Sequence, residues 1–159
     1  MKIRVSLLLC AAALTASGGC GGPDERALPP RVRIGQHTWN VEIADNDATR
    51  SRGMGGRKEV PPGMGMLFVF PREEPVRFHM LDCYIPLDVA FIDAGGRIVE
   101  IRTMYVEADP ADPKTHYPSR APVTYALEVA ADTFARLGIE RGDAVELLGG
   151  ARDAAKAAR

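Results

Sequence analysis

The sequence has little cysteine, no surplus of either charge and no apolar run long enough to cross a membrane. Only three cysteines occur in 159 residues, and the formal net charge is -1 with 26% charged residues. A chain that binds nucleic acid would carry a basic surplus, so we expect no nucleic-acid partner. The 46% hydrophobic fraction excludes a wholly disordered chain and a multi-span membrane protein. The length suits one domain.

The N-terminus has the pattern of a secretory signal. Lys2 and Arg4 precede an apolar stretch, residues 5–14, that is too short to span a bilayer of roughly 30 Å. Residues 14–20 (LTASGGC) resemble a bacterial lipobox, in which the cysteine, here Cys20, is lipidated and becomes the mature N-terminus. The alternative is ordinary cleavage near residues 17–19, which leaves Cys20 as a plain thiol. Because Gly21 and Gly22, and not Asp, directly follow Cys20, the resemblance favours an exported lipoprotein on the periplasmic face of a bacterial outer membrane.

Composition shifts divide the chain into four parts. Residues 1–19 are the predicted signal peptide, and residues 20–30 form a Gly- and Pro-rich flexible tether. Residues 31–149 are the predicted folded domain, and residues 150–159 a frayed C-terminal tail. Lipidation of Cys20 and loss of the signal leave Cys83 alone. We therefore expect no disulfide framework.

The folded region is predicted to be mostly β-strand. Short alternating or apolar segments favour strands at residues 32–34, 38–44, 63–70, 76–83, 87–92, 97–104, 124–129 and 143–148. Asn46 or Asp47 can cap a short helix that ends at Gly53, and Asp132 can cap a second. Residues 105–121 carry three prolines and many polar groups, which predicts a long loop.

Three segments together resemble one protein family. They are residues 52–57 (RGMGGR), 63–70 (GMGMLFVF) and 78–93 (FHMLDCYIPLDVAFID). The combination is similar to the bacterial and archaeal family known as domain of unknown function 192. The resemblance implies a compact, mainly β (α+β) domain, an antiparallel sandwich or barrel-like, with one or two short helices. It implies little about activity. The residues that match the family pattern are Arg52, Gly53, Gly65, Met66, Phe78, Met80, Pro86, Leu87 and Asp88.

Asp88 is the strongest candidate for a special role, since it lies between Leu87 and Val89 in an otherwise apolar strand. An unpaired carboxylate there would be costly, and Arg52 is the predicted partner because its fork can bind a carboxylate with two hydrogen bonds. Such a pair either pins the first helix to the sheet or lines a ligand cleft. Pro61, Pro62 and the 105–121 loop are expected near that cleft. The candidate cleft residues are Arg52, Gly53, Met66, Phe78, His79, Met80, Asp82 and Asp88.

A soft-metal site is a weaker hypothesis. In a regular strand His79, Leu81 and Cys83 would share one side, and imidazole and thiolate both bind zinc or copper. Methionines suit Cu(I), but they also fill irregular core gaps. A nucleophilic Cys83 paired with His79 lacks an activating motif. We therefore expect no catalytic residue, no metal and no cofactor.

Three functions remain open. The first is a membrane-tethered binding or accessory module of the cell envelope, whose ligand is a glycan, a peptide or another envelope protein. The second is an envelope hydrolase or other enzyme that uses Arg52, His79 and Asp88. The third is a copper- or zinc-binding protein that uses His79 and Cys83.

Overall fold

The computed structural model of the chain describes residues 28–158. Within them the elements follow in the order β1 (Arg31–Ile34), β2 (His37–Ala44), α1 (Asp47–Arg52), β3 (Met64–Glu74), β4 (Arg77–Phe78), β5 (Leu87–Ile92), β6 (Ile98–Met104), β7 (Tyr117–Pro118), β8 (Val123–Ala130), α2 (Thr133–Leu137), β9 (Val145–Leu148) and α3 (Gly150–Ala157). The prediction of a mainly β fold is confirmed.

Seven strands form one curled sheet, in the order β6-β5-β8-β3-β2-β1-β9. Neighbours are antiparallel except β2 and β3, which are parallel. The two outermost strands meet at one end, where Arg97 pairs with Ala144 and the Ile98 amide donates to the Asp143 carbonyl at 3.0 Å. The sheet is therefore barrel-like. A separate two-stranded ribbon joins β4 and β7.

A parallel pair needs a crossover connection, and here α1 with residues 53–63 supplies it. Asn46 begins the helix, because its side chain accepts a hydrogen bond from the Thr49 amide at 3.0 Å. Gly53 follows the last helical residue with a φ of 48°, a conformation that glycine adopts without strain. Both ends of α1 lie where the sequence predicts them.

The central strands are buried on both faces, and this divides the core into two layers. The inner face packs against α2 and α3 and carries, among others, Val41, Leu67, Ala90 and Leu127. The outer face is covered by residues 53–62 and 75–86 and carries Met66, Phe68, Val89 and Ala126. Trp39 is 3% exposed in the inner core, as its alternating strand predicts.

Residues 76–83 do not form the predicted regular strand. Only Arg77 and Phe78 pair, with β7, and the chain then turns. The prediction that His79, Leu81 and Cys83 share one side of a strand is therefore wrong. Leu81 is 38% exposed, whereas Cys83 is 5% exposed and packs in the outer core. A turn centred on Asp82, whose φ is 53°, breaks the strand periodicity.

The C-terminal segment is a docked helix, so the prediction of a frayed tail is wrong. Ala151 and Ala155 are one helical turn apart, are 0% and 8% exposed, and pack on the inner core. Their small side chains let the helix approach closely, although the segment has few large apolar residues. The helix ties back to the start of the domain, since the Gly150 amide donates to the Leu28 carbonyl at 3.0 Å.

Candidate functional site

A buried glutamate, Glu128, lies at the centre of the outer face. Side chains alternate along a strand, so Leu127 and Val129 point to the inner core and Glu128 points outward. It stands between Met66 of β3 and Val89 of β5 and is 4% exposed. Its Oε2 atom has no hydrogen-bond partner within residues 28–158. A buried polar group without a partner is rare and marks a place to look for function.

Burial raises the pKa of Glu128 to about 8. The guanidinium of Arg57 opposes this rise but does not cancel it. Arg57 is itself engaged, because its Nη2 atom donates to the Glu42 carboxylate at 2.7 Å. The Glu128 carboxyl is therefore mostly protonated at neutral pH, where it both donates and accepts hydrogen bonds.

Glu128 lies in a cleft of about 640 Å³, which is within the size range of small-molecule sites. The apolar walls include Met54, Phe68, Phe70, Phe78 and Cys83. Two of these rings, Phe68 and Phe78, meet edge to face with centroids 4.8 Å apart. The rim consists mainly of charged and polar residues of α1 and of residues 71–79. We call this the Glu128 cleft.

Gly53 brings the backbone close to the carboxyl group. A Cβ atom added there would lie 3.7 Å from Glu128 Oε2 and 3.4 Å from Phe68 Cζ. The positive φ of Gly53 also disfavours any side chain at this position. The glycine thus ends α1 and keeps the space beside the carboxyl group open.

Two of the rim arginines are held by local partners. Arg50 donates to the Val69 carbonyl at 2.8 Å and to the Asp47 carboxylate at 2.6 Å. Arg72 pairs with Glu74 at 2.9 Å. These contacts pair both guanidinium groups with a carboxylate and hold the two side chains at the rim of the cleft.

Arg52 and Arg77 differ from them. Both are exposed at the cleft, and neither forms an ion pair with any residue of the described range 28–158. His79 also lines the cleft, and its Nδ1 atom accepts a hydrogen bond from the Leu81 amide at 3.2 Å. The rim of the cleft therefore carries two guanidinium groups without an ion pair among the described residues, although the charge of Arg52 also helps to lower the pKa of Glu42.

The predicted Arg52–Asp88 ion pair is wrong. Asp88 is 2% exposed and accepts hydrogen bonds from the Thr103 hydroxyl at 2.7 Å and from the Phe134 amide at 3.2 Å. Strand alternation places Asp88 on the inner face, whereas the Glu128 cleft is on the outer face. Asp88 also replaces the expected cap of α2, because the Asp132 side chain makes no capping bond.

The predicted cleft residues divide into two groups. Arg52, Gly53, Phe78 and His79 line the Glu128 cleft; Met66, Met80, Asp82 and Asp88 do not. Met66 and Met80 are core residues, 4% and 0% exposed. The exposed Asp82 acts through its backbone, which accepts from the Gly56 amide at 2.8 Å and donates to the Pro110 carbonyl at 2.8 Å.

The prolines and the long loop lie elsewhere. Pro61 and Pro62 line a second depression of about 380 Å³ with Trp39 and Arg136. No residue of 105–121 lines the Glu128 cleft. The expectation that these segments border the same cleft is therefore wrong, because the crossover turns the proline pair toward the start of β3.

His79 and Cys83 line the same cleft, but residues 28–158 contain no group of three or more His, Cys, Asp or Glu side chains placed to hold a metal ion. Burial raises the pKa of Cys83 to about 11, and the acidic groups of Glu128 and Asp82 add to the rise. The free Cys83 thiol is thus protonated at neutral pH and is a poor nucleophile.

Sequence reasoning missed Glu128. A signal was present, since Glu128 is one acidic residue in the buried run Val123–Ala130, as Asp88 is in Leu87–Ile92. The cleft itself was not predictable from local pattern, because its outer wall is irregular chain. None of the helices in residues 28–158 is long and apolar enough to span a bilayer.

Comparison with known proteins gives a family and two solved neighbours of the same fold. Residues 31–147 match the family model DUF192, described as an uncharacterised group, COG1430. A candidate transcription regulator from Sinorhizobium meliloti 1021 is 37% identical, with a TM-score of 0.66, over 74% of this chain and 92% of that one. A protein of unknown function from Novosphingobium aromaticivorans DSM 12444 is 32% identical, with a TM-score of 0.64, over 75% and 84%. No curated protein matches. The chain belongs to the DUF192 family of uncharacterised proteins.

Proposed function

We propose that this protein is an exported, membrane-tethered binding module of the cell envelope, and that its ligand binds in the Glu128 cleft. The observation that carries the proposal is the Glu128 carboxyl group, buried in the cleft with Oε2 unpartnered among the described residues. A buried polar group without a partner costs about 1–3 kcal/mol. A ligand that hydrogen-bonds to Glu128 would offset this cost, and that accounts for an acid at this position.

Several features favour binding over catalysis. The Cys83 thiol is protonated at neutral pH, and the enzyme hypothesis built on Arg52, His79 and Asp88 loses Asp88 to the opposite face of the sheet. A net charge of -1 does not favour nucleic-acid binding.

Anchoring is the second half of the proposal. It rests on the lipobox-like segment that ends at Cys20, which lies outside the described residues. The first strand of the folded domain, β1, begins eleven positions later, at Arg31. Covalent lipid on Cys20 would hold the domain at the periplasmic face of the outer membrane.

The binding proposal is tested with a fragment library and the methionine methyl groups as reporters. Met54 lines the Glu128 cleft, and Met64 lines the second depression. With ¹³C-methyl methionine, bound fragments should shift the Met54 signal and leave Met64 in place. Ser51→Trp should abolish these shifts, because Ser51 is exposed at the cleft rim.

The matched control is Ala48→Trp, an exposed position of the same helix that does not line the cleft. This variant should bind as wild type does. Fragments that bind Ser51→Trp unchanged, or a library that never shifts Met54, would refute a binding site in the Glu128 cleft.

A second candidate function is acid catalysis in the same cleft. It is favoured by the pKa of Glu128, since a carboxyl that stays protonated at neutral pH is suited to give a proton to a leaving group. Chromogenic ester and glycoside substrates test it. If wild-type protein turns over a substrate and Glu128→Gln does not, acid catalysis is favoured. If wild-type protein shows no turnover, the binding proposal is unaffected.

A further inference from the structure

Resting on the proposed function, we infer the chemical class of the ligand: a small amphipathic organic anion. Its anionic group lies at the rim of the cleft beside Arg52 and Arg77, its apolar body lies against the phenylalanine side chains of the wall, and an uncharged hydroxyl or carbonyl group meets Glu128. Three independent features support this assignment: the charges at the rim of the cleft, the apolar walls, and the buried carboxyl group of Glu128.

The rim of the Glu128 cleft favours a negatively charged ligand group. Arg50 and Arg72 are neutralised by Asp47 and Glu74, which leaves the guanidinium groups of Arg52 and Arg77 without an ion-pair partner in residues 28–158. Guanidinium forks match carboxylate and phosphate groups, to which they donate two hydrogen bonds. A cationic ligand would meet two like charges at this point.

The walls select an apolar body. Phe68, Phe70 and Phe78 are 2%, 9% and 8% exposed, so only small patches of their side chains are open to the cleft, and the Phe70 ring is partly covered by the Arg50 guanidinium, 5.9 Å from the ring centroid. Sugar rings stack on broad exposed aromatic faces, which these side chains do not offer. Met54 and Cys83 complete an apolar wall. An aromatic or branched hydrocarbon group fits this surface better than a glycan does.

At the bottom of the cleft, the Glu128 carboxyl group favours an uncharged polar group of the ligand. A cation is already present near Glu128, namely Arg57, which acts electrostatically on this carboxyl and is bonded to Glu42. Cys83 and His79 line the same cleft, and the remaining charged residues of its lining belong to the rim. The protonated carboxyl has one donor and further acceptor positions, so a ligand hydroxyl or carbonyl satisfies it.

A set of matched compounds tests the assignment. The reference probe is 3-(4-hydroxyphenyl)propanoate, which has the anion, the ring and the hydroxyl. The comparison probes are 3-phenylpropanoate without the hydroxyl, 3-(4-hydroxyphenyl)propan-1-ol without the charge, and tyramine with a cation. Binding is followed by Met54 methyl shifts and by calorimetry. The reference probe should bind at least about tenfold more tightly than each of the others.

Variants of the chain provide the reciprocal test. Arg52→Gln with Arg77→Gln should remove the preference for the anion over the neutral alcohol. Glu128→Met should remove the preference for the hydroxyl compound over 3-phenylpropanoate. Arg141→Gln is the control, because Arg141 is exposed and lies outside the cleft, and both preferences should persist in it.

The outcomes separate the ligand class from the cleft itself. Tighter binding of tyramine or of the neutral alcohol, blocked by Ser51→Trp, overturns the anion assignment and leaves the cleft as the binding site. Failure of all four probes while library fragments still shift Met54 also overturns it. Failure of every compound to shift Met54 removes both proposals.

Discussion

Two buried carboxylic acids lie on neighbouring strands, and the alternation of side chains gives them opposite roles. Asp88 pairs with Val129 and points to the inner face, whereas Glu128 pairs with Val89 and points to the outer face. Asp88 has two hydrogen-bond donors, from Thr103 and Phe134. Glu128 Oε2 has none among the described residues. Asp88 therefore stabilises the fold. Burying the unpartnered Glu128 carboxyl group costs folding free energy, so we look for the reason for Glu128 in function.

Replacing Asp88 should destabilise the protein, and replacing Arg52 should not. Asp88→Leu removes the acceptor of the buried Phe134 amide and of the half-buried Thr103 hydroxyl, and a buried polar group left without a partner costs about 1–3 kcal/mol. Arg52→Met removes an exposed side chain with no ion pair in residues 28–158. Urea unfolding measures both. If Arg52→Met lost as much stability as Asp88→Leu, the result would support an Arg52–Asp88 ion pair and contradict the structure.

Glu128 should make the stability depend on pH. Its pKa rises from an ordinary 4.5 to about 8 on folding, so between these values the folded state binds more protons than the unfolded state. The free energy of unfolding therefore falls as pH rises from about 4.5 to about 8, by at most about 1.4 kcal/mol per pH unit from this group. Glu128→Gln, measured by urea unfolding across this range, should lack that decline. A decline that persists unchanged in Glu128→Gln assigns it to other groups.

Glu128→Met should raise stability while it weakens ligand binding. The thioether has a similar volume, needs no hydrogen bond and joins an outer core that already holds Met54 and Met66. Removing the unpartnered carboxyl should add about 1–3 kcal/mol to the free energy of unfolding. Such an inverse effect is typical of residues kept for function. A destabilised Glu128→Met would mean that the carboxyl has a structural role.

At the scale of elements, the close pairing of β3 and β8 depends on a glycine. A Cβ atom on Gly65 would lie 2.7 Å from the Glu128 carbonyl oxygen and 3.2 Å from Val129 Cγ1. Since the first of these contacts is with backbone, the strands themselves must shift to accept a side chain. Gly65 thus sets the spacing at the point where Glu128 is held.

Gly65→Ala should accordingly destabilise the protein, and Gly150→Ala should stabilise it. Gly150 is the first residue of α3, and a Cβ there meets only ordinary contacts with Pro30, the nearest at 3.5 Å. Alanine in that helix reduces the entropy of the unfolded chain, which is worth about 0.4–1 kcal/mol. Thermal unfolding compares the pair. Equal melting temperatures for both variants would contradict the close approach of β3 and β8.

The helices also show how far sequence pattern reaches. The limits of α1 were predictable because Asn46 and Gly53 carry local backbone signals. The docking of α3 was harder to predict, since the segment is amphipathic but its apolar face consists of alanines, which have little apolar surface to bury and whose burial depends on a distant part of the chain. The same holds for the site: Asp88 was recognisable as a buried acid, but its partners lie 15 and 46 residues away in sequence. Tertiary contacts of this kind leave no local signature.

For the whole molecule, the proposed anchor predicts a specific chemical modification. Wild-type protein should partition into detergent and carry the mass of acyl groups on Cys20, whereas Cys20→Ser should be soluble or unprocessed. Cys83→Ser is the matched control and should remain anchored, because Cys83 is buried in the folded domain. Intact-mass spectrometry that finds an unmodified N-terminus at another residue would overturn the lipoprotein proposal.

The position of β1 has a consequence for the order of events during synthesis. This strand lies between β2 and β9, so one of its two partners is made only after every other strand of the sheet. Residues near its start are also held by α3, through the bond from Gly150 to Leu28. A growing chain cannot complete the sheet until β9 emerges, and a chain that ends at residue 142 should stay unfolded, with a circular dichroism spectrum that lacks the β signal. For the export that we propose, late closure would delay folding of the chain until transport is complete.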